Sequence, residues 1–243
     1  MSRTLSPPDE AEVAALTFVP LATPRGVPSR KSVELAAIPL VQELLRTLGQ
    51  PLADLARRAR RLGPVQGGAV LLLTGCRRGA GCSTVALCLA AAAAAERPTL
   101  LLDADLLHAG LSAQLGGGAF AFGWEEILRG LPSPQTLFRP PDQPGVLSFL
   151  PLQQPVHDPL GLLTQPALPG WLAGLRQVYD LVILDGGPVQ ESGAGWASWA
   201  DVAILVKDGR EPSAADCASA WDLLEEGGTH VLGLVETFVP SSR

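Results

Sequence analysis

The stretch Thr74-Gly75-Cys76-Arg77-Arg78-Gly79-Ala80-Gly81-Cys82-Ser83-Thr84 decides how the chain is read. An apolar run, Ala69–Thr74, enters it, and an alanine-rich run with helical character, Val85–Ala95, leaves it. A glycine-rich turn between a buried strand and a helix gathers unpaired backbone N–H groups and the positive end of the helix dipole at one point. That is the arrangement with which a turn cradles phosphate.

Outward from this turn, short β-type runs recur at Thr99–Asp103, Val146–Leu150, Leu181–Asp185, Val202–Val206 and Val231–Val235. Several are continuously apolar, as strands covered on both faces must be, and helix-type stretches separate them. The pattern predicts an α/β fold with a doubly wound, mainly parallel sheet and a ligand site at the carboxyl ends of the strands. Between Val33 and Leu62 apolar positions recur at helical spacing, interrupted by Pro39 and Pro51, which predicts a lead-in of two short amphipathic helices. Residues 1–32 carry Pro7, Pro8, Pro20, Pro24 and Pro28 with no apolar period. They are expected to form a mobile arm ahead of a single domain over 33–243.

A standard phosphate-binding loop of the Walker A type reads G-x-x-x-x-G-K-[ST]. Here Gly81 and Ser83 fit, while Cys76 takes the first glycine position and Cys82 the lysine position. The lysine normally supplies a point charge between phosphates, which a thiol cannot. A thiol at a helix N-terminus has two readings: a neutral packing group, or a thiolate whose charge would repel phosphate. Arg77 and Arg78 also have two readings, as a substitute charge for the lysine or as solvated side chains. Nucleotide-binding candidates are therefore Arg77, Gly79, Ala80, Gly81, Cys82, Ser83 and Thr84. Two strands end in carboxylates, Leu102-Asp103-Ala104-Asp105 and Leu184-Asp185-Gly186-Gly187-Pro188. Ser83, Asp103 and Asp185 are candidate Mg²⁺ ligands, and Asp103 and Asp105 are candidate catalytic carboxylates, working or vestigial.

Composition narrows the alternatives. The 243 residues carry 18 Lys plus Arg against 24 Asp plus Glu, a net charge of −6, so nothing global recruits nucleic acid or an anionic membrane. Four cysteines without a C-x-x-C or a histidine at ligand spacing argue against a zinc site or a redox motif and read as isolated core or loop thiols. No signal-peptide core opens the chain, and Val85–Ala95 is too short to span ~30 Å of hydrocarbon, which predicts a cytoplasmic protein. Lys31 and Lys207 are the only lysines. A chain that writes most of its basic positions as arginine still has neither arginine nor lysine at position 82.

The chain resembles the cytoplasmic P-loop domain of bacterial tyrosine kinases (BY-kinases), exopolysaccharide and capsule regulators in the ParA/MinD superfamily of P-loop NTPases. The likeness runs over about residues 40–240. Beyond the loop it rests on Asp103-Ala104-Asp105, Gly110-Leu111, Leu115-Gly116 and Gly123-Trp124-Glu125-Glu126-Ile127-Leu128-Arg129-Gly130. It continues in Pro144-Gly145-Val146-Leu147-Ser148-Phe149-Leu150-Pro151, Asp158-Pro159-Leu160-Gly161-Leu162-Leu163 and Tyr179-Asp180-Leu181-Val182-Ile183-Leu184-Asp185. Asp201–Val206 and Val231-Leu232-Gly233-Leu234-Val235 complete the order.

The resemblance implies an ATP-dependent tyrosine kinase or ATPase using ATP and Mg²⁺, with Thr237 at the position of an adenine-contacting asparagine. It also implies a protein partner at the inner face of the membrane, a membrane-anchored polysaccharide co-polymerase or a related kinase, and no nucleic-acid partner. The departures fall on the chemistry. Besides Cys82 and Thr237, Leu107 replaces an arginine after the D-x-D motif. The family's C-terminal tyrosine cluster has no counterpart, Tyr179 being the sole tyrosine. Of the oligomerisation pattern E-x-Y-R-x-x-R only Glu43 and Arg46 remain, so a family-type ring is not expected. Three readings follow: a pseudo-enzyme with weak or no ATP binding and a regulatory or scaffolding role; an active or nucleotide-gated ATPase/kinase relying on Arg77 or Arg78; and a ParA/MinD-type positioning ATPase.

Overall fold

The computed structural model describes residues 39–116, 123–130, 147–210 and 214–239. The proline-containing arm expected at 1–32 lies outside the described residues, as does Val146, the expected first residue of the third strand.

Six strands form one sheet: β1 (Ala69–Gly75), β2 (Thr99–Asp103), β3 (Ser148–Leu150), β4 (Leu181–Pro188), β5 (Val202–Asp208) and β6 (His230–Thr237). Their order is β3-β2-β4-β1-β5-β6, and every pair is parallel. The helices are α1 (Pro39–Leu62), α2 (Cys82–Ala94), α3 (Gly110–Gly116), α4 (Trp124–Leu128), α5 (Pro159–Leu163), α6 (Ala167–Val178) and α7 (Ala214–Glu226), with a 3₁₀ segment at Gly193–Trp199.

Side-chain alternation along the strands feeds two separate cores. Leu71, Leu73, Leu101, Ile183 and Ile204 face the alanines of α1 and α2. Val70, Leu72, Leu102, Val182 and Leu205 face α6, α7, Trp124 and Trp196. Each central strand is thus buried on both sides, which is why its sequence is a continuous apolar run. The doubly wound parallel sheet is as expected from that pattern.

The lead-in differs from expectation. It is one helix of 24 residues that runs straight through Pro51, not two short ones. Proline in a helix interior removes a hydrogen bond and costs ~3 kcal/mol. Pro51 lies on the exposed face, where the freed carbonyl can be hydrated, while Val41, Ala53, Ala56 and Ala59 are buried and the helix packs along α2. Tertiary burial of that stripe outweighs the local penalty. Arg57 and Arg60 fasten the far end to Glu96, just after α2, so part of the basic run is an anchor and not only a solvated face. α2 lies between α1 and the sheet and is apolar on nearly all sides, as a helix covered on both sides must be. Among the described residues no helix is long and apolar enough to cross a membrane.

Candidate functional site: a glycine turn with thiols and a buried carboxylate

The turn after β1 has the backbone of an anion cradle. Gly79 and Gly81 both have φ of +82°, a left-handed conformation that a side chain would strain, and Gly81 is the N-cap of α2. No side chain caps α2, so the amides of its first turn are free of a protein side-chain acceptor. Val85 N–H closes the first helical bond onto the Gly81 carbonyl at 3.0 Å. Gly79, Ala80, Gly81, Cys82, Ser83 and Thr84 are therefore brought together in strand-turn-helix form.

Cys76 is 1% exposed and anchored to β5 by its N–H on the Val206 carbonyl, 2.8 Å. Cys82 is half-buried at the start of α2, its thiol close to Asp185. Burial first, then the Asp185 charge, push that thiol well above its ordinary range. Desolvation and a neighbouring carboxylate act against the helix dipole here and weigh against the thiolate reading.

Asp103 and Asp185 are direct neighbours across the β2–β4 register. Asp103 accepts from Ser112 N–H at 2.7 Å and Asp105 N–H at 3.3 Å. Burial, and secondarily the charge of Asp185, push its carboxyl up to about 7 against the pull of these amides. Asp185 is fully buried, and neither carboxylate oxygen has a hydrogen-bond partner. The Ser83 hydroxyl and Cys82 thiol are near enough to favour its charge without reaching hydrogen-bond geometry. Burial dominates, and the group is pushed up to about 6. Asp105 lies over Gly187 and is held by His108 Nδ1 at 3.1 Å and the Ser192 hydroxyl at 3.3 Å.

The two loop arginines splay apart. Arg77 Nε stands 3.4 Å from Asp216 on α7, and Arg78 pairs with Glu191 beyond β4 and stands 2.7 Å from the His108 ring. Lys207 pairs with Glu236 at 3.1 Å. Among the described residues no cationic side chain pairs with Asp185. Thr237 is used internally: its hydroxyl donates to the Ala80 carbonyl at 2.7 Å and the Lys207 carbonyl at 3.1 Å. The next residue, Phe238, has φ of +53° and places its ring against Gly81, with the Arg210 guanidinium 3.9 Å from the ring centre.

Several contributors have no role that the motifs assign. Trp124 and Trp196 donate their indole N–H groups to the Asp103 and Ala104 carbonyls at 2.8 and 2.9 Å, pinning the strand tip. Glu125 accepts from Gln153 N–H at 3.0 Å, and Glu126 from Gly123 N–H at 3.1 Å, so the acidic pair quoted from Gly123–Gly130 serves as framework.

The fit to Mg²⁺ can be tested on the donors themselves. Asp185 with two unpartnered oxygens and Ser83 with a hydroxyl suit a hard cation, whereas both Asp103 oxygens are already engaged. Among the described residues no group of three or more His, Cys, Asp or Glu side chains is arranged to hold a metal unaided. An ion here would need oxygens from a bound ligand, as magnesium sites with one or two carboxylates do.

No family model matches the chain, and no curated protein matches it. Solved structures do. The kinase domain of VpsO is 25% identical with a TM-score of 0.65, over 82% of this chain and 98% of that one. The kinase domain of the Escherichia coli tyrosine kinase ETK is 22% identical with a TM-score of 0.66, over 87% and 82%. This is the fold of bacterial tyrosine-kinase domains. The septum site-determining protein MinD from Pyrococcus horikoshii, complexed with Mg-ADP, shares it more loosely, with 22% identity and a TM-score of 0.58 over 72% of each chain. The described residues thus share the tyrosine-kinase fold, while the loop's chemical positions depart from the standard pattern.

Proposed function

We propose that this chain is a BY-kinase-like pseudo-enzyme, a regulatory or scaffolding protein of exopolysaccharide or capsule production that acts through a protein partner. The observation that carries this reading is Cys82 at the lysine position beside the Asp185 carboxylate, whose oxygens have no hydrogen-bond partner, with both loop arginines engaged by acids outside the turn. A phosphate chain entering there would meet backbone amides but also a buried negative charge with no cation to offset it. Losing one transition-state charge contact costs ~3 kcal/mol, or roughly a hundredfold in rate. The sole tyrosine, Tyr179, is 2% exposed at the entry to β4 and is not available as an acceptor. The expected partner is a membrane-anchored polysaccharide co-polymerase or a related kinase, which would bring this chain to the inner membrane face. Support for it is the likeness to tyrosine-kinase domains.

A second reading is favoured by Asp185 specifically. Its free oxygens, with the Ser83 hydroxyl, would hold Mg²⁺ of a magnesium nucleotide, the ion supplying charge neutralisation to phosphate oxygens. The protein's own part would be limited to the amides of Gly79–Thr84 and these two oxygen donors. In that case nucleotide acts as a weakly bound effector without phosphoryl transfer.

Calorimetric titration with Mg-ATP separates the readings. The pseudo-enzyme reading expects no low-micromolar binding to the wild type and no hydrolysis. Cys82→Lys places the cation beside Asp185 and is expected to create measurable binding. Low-micromolar binding with turnover in the wild type would overturn the proposal, and failure of Cys82→Lys to bind would show that more of the pocket than one residue has been lost.

A further inference from the structure

Three of the four cysteines, at positions 76, 82 and 217, converge on the turn although the third comes from α7, more than a hundred residues away in sequence. Cys76 and Cys217 belong to the same buried core, 1% and 8% exposed. Their backbones are tied together one residue to the side, where Arg77, following Cys76, pairs with Asp216, preceding Cys217, at 3.4 Å. The Cys217 side chain lies near enough to the Cys76 thiol to act on it. Cysteine at the first glycine position thus sends a side chain into the core at the one place where α7 presents a second thiol.

We infer that Cys76 and Cys217 are a dithiol that oxidises to an intramolecular disulfide, locking the turn to α7. In the step, both S–H bonds break and one S–S bond forms. The two electrons and two protons released reduce one hydrogen peroxide to two waters, so a peroxide-class oxidant is the co-reactant. Cys76 is buried, and the three residues that follow it, Arg77, Arg78 and Gly79, are exposed. Burial and the neighbouring thiol push the Cys76 thiol up to about 12, so the thiolate that must attack is scarce at neutral pH and the reaction is slow there. The inference does not depend on whether nucleotide binds.

The test is exposure of the folded protein to hydrogen peroxide, alkylation of remaining thiols, and mass spectrometry of a tryptic digest without reduction. Cleavage after Arg77, Arg78 and Arg210 puts Cys76, Cys82 and Cys217 on different peptides. The expected product is a Cys76–Cys217 linked pair that dithiothreitol separates, forming on the order of a hundredfold faster at pH 9 than at pH 7 where thiolate attack limits the rate, and absent from Cys76→Ser and Cys217→Ser. Should either serine variant fail to fold, amide exchange of residues 76–84 in the wild type is the second readout, expected to slow on oxidation and recover on reduction. Linkage to Cys82, linkage only between molecules or only in denaturant, or over-oxidation without any linked pair would overturn the inference.

Discussion

Asp103 and Asp185 occupy matching positions at the tips of adjacent strands, both at 0% exposure, yet the fold treats them in opposite ways. Around Asp103 the chain has built acceptor-matched amides, from Ser112 and Asp105, and two tryptophans that fix the strand tip. Around Asp185 no donor reaches hydrogen-bond geometry. Burying a carboxyl without donors is costly, so one that persists so placed is waiting either for a proton or for something bound. Depth and residue type are therefore poor guides to function at this sheet edge, and the supply of donors is a good one. Asp103 is built into the framework, and Asp185 is left without partners.

Truncation should separate them most sharply. Asp103→Ala strands two buried amides and is expected to destabilise by about 3 kcal/mol. Asp185→Asn, which removes a charge that no group satisfies, should stay within about 1 kcal/mol of wild type or exceed it. Urea unfolding of the two variants at neutral pH measures both, and equal losses would erase the distinction.

The pH profile is the next largest effect. A carboxyl at about 6 in the folded protein against an ordinary 3.8 binds its proton more tightly when folded. Stability should thus be highest below about pH 4 as far as this group is concerned and fall as pH rises through 6, by up to about 3 kcal/mol. Asp103, raised for the same leading reason, contributes with the same sign. In Asp185→Asn this decline should be markedly flatter, because the charge on 185 is gone and its burden on 103 with it. Thermal unfolding between pH 4 and pH 8 is the check, and an unchanged slope would place the decline elsewhere.

A third effect concerns what sits beside the pair. Gly187 has φ of +64°, and a Cβ there would come 2.6 Å from the Asp105 carboxyl carbon. Gly187→Ala combines backbone strain with displacement of Asp105 from His108, and should cost about 2 kcal/mol by denaturant titration.

How far this contrast could be read in advance follows from the range of the interactions involved. The strands were legible because both faces are buried, which writes itself locally as Ala69–Leu73 or Leu181–Leu184. Cys82 was legible because one motif position carries a defined charge. Pro51 misled because the gain that carries α1 through it comes from packing on α2, a partner remote in sequence. The same limit hid the directions of Arg77 and Arg78, which are set by Asp216 and Glu191, each more than a hundred residues away. A different limit hid the tether of Asp103 to Ser112 N–H, nine residues on, because a main-chain donor has no residue signature. A sequence shows which groups reach the sheet edge; the donors each one meets there are assembled from the rest of the chain.

The smallest predicted effect tests the opposite flank of the turn, where Thr237 behaves as Asp103 does and not as Asp185 does. Its hydroxyl lies within reach of two main-chain acceptors, nearer to Ala80 than to Lys207, and so joins the phosphate-type turn to the β5–β6 edge. Thr237→Val keeps the branched shape and removes only the donor. Thr237 is part-buried, so water can partly replace the lost bonds, and the expected cost is about 1 kcal/mol. If Thr237 is framework, amide exchange at Ala80 and Gly81 should accelerate by a factor close to the one that the stability loss implies, about fivefold. If exchange accelerates far more than stability falls, the residue is instead holding a mobile turn closed, and the border between framework and site moves from Asp185 to the whole Gly79–Ser83 turn.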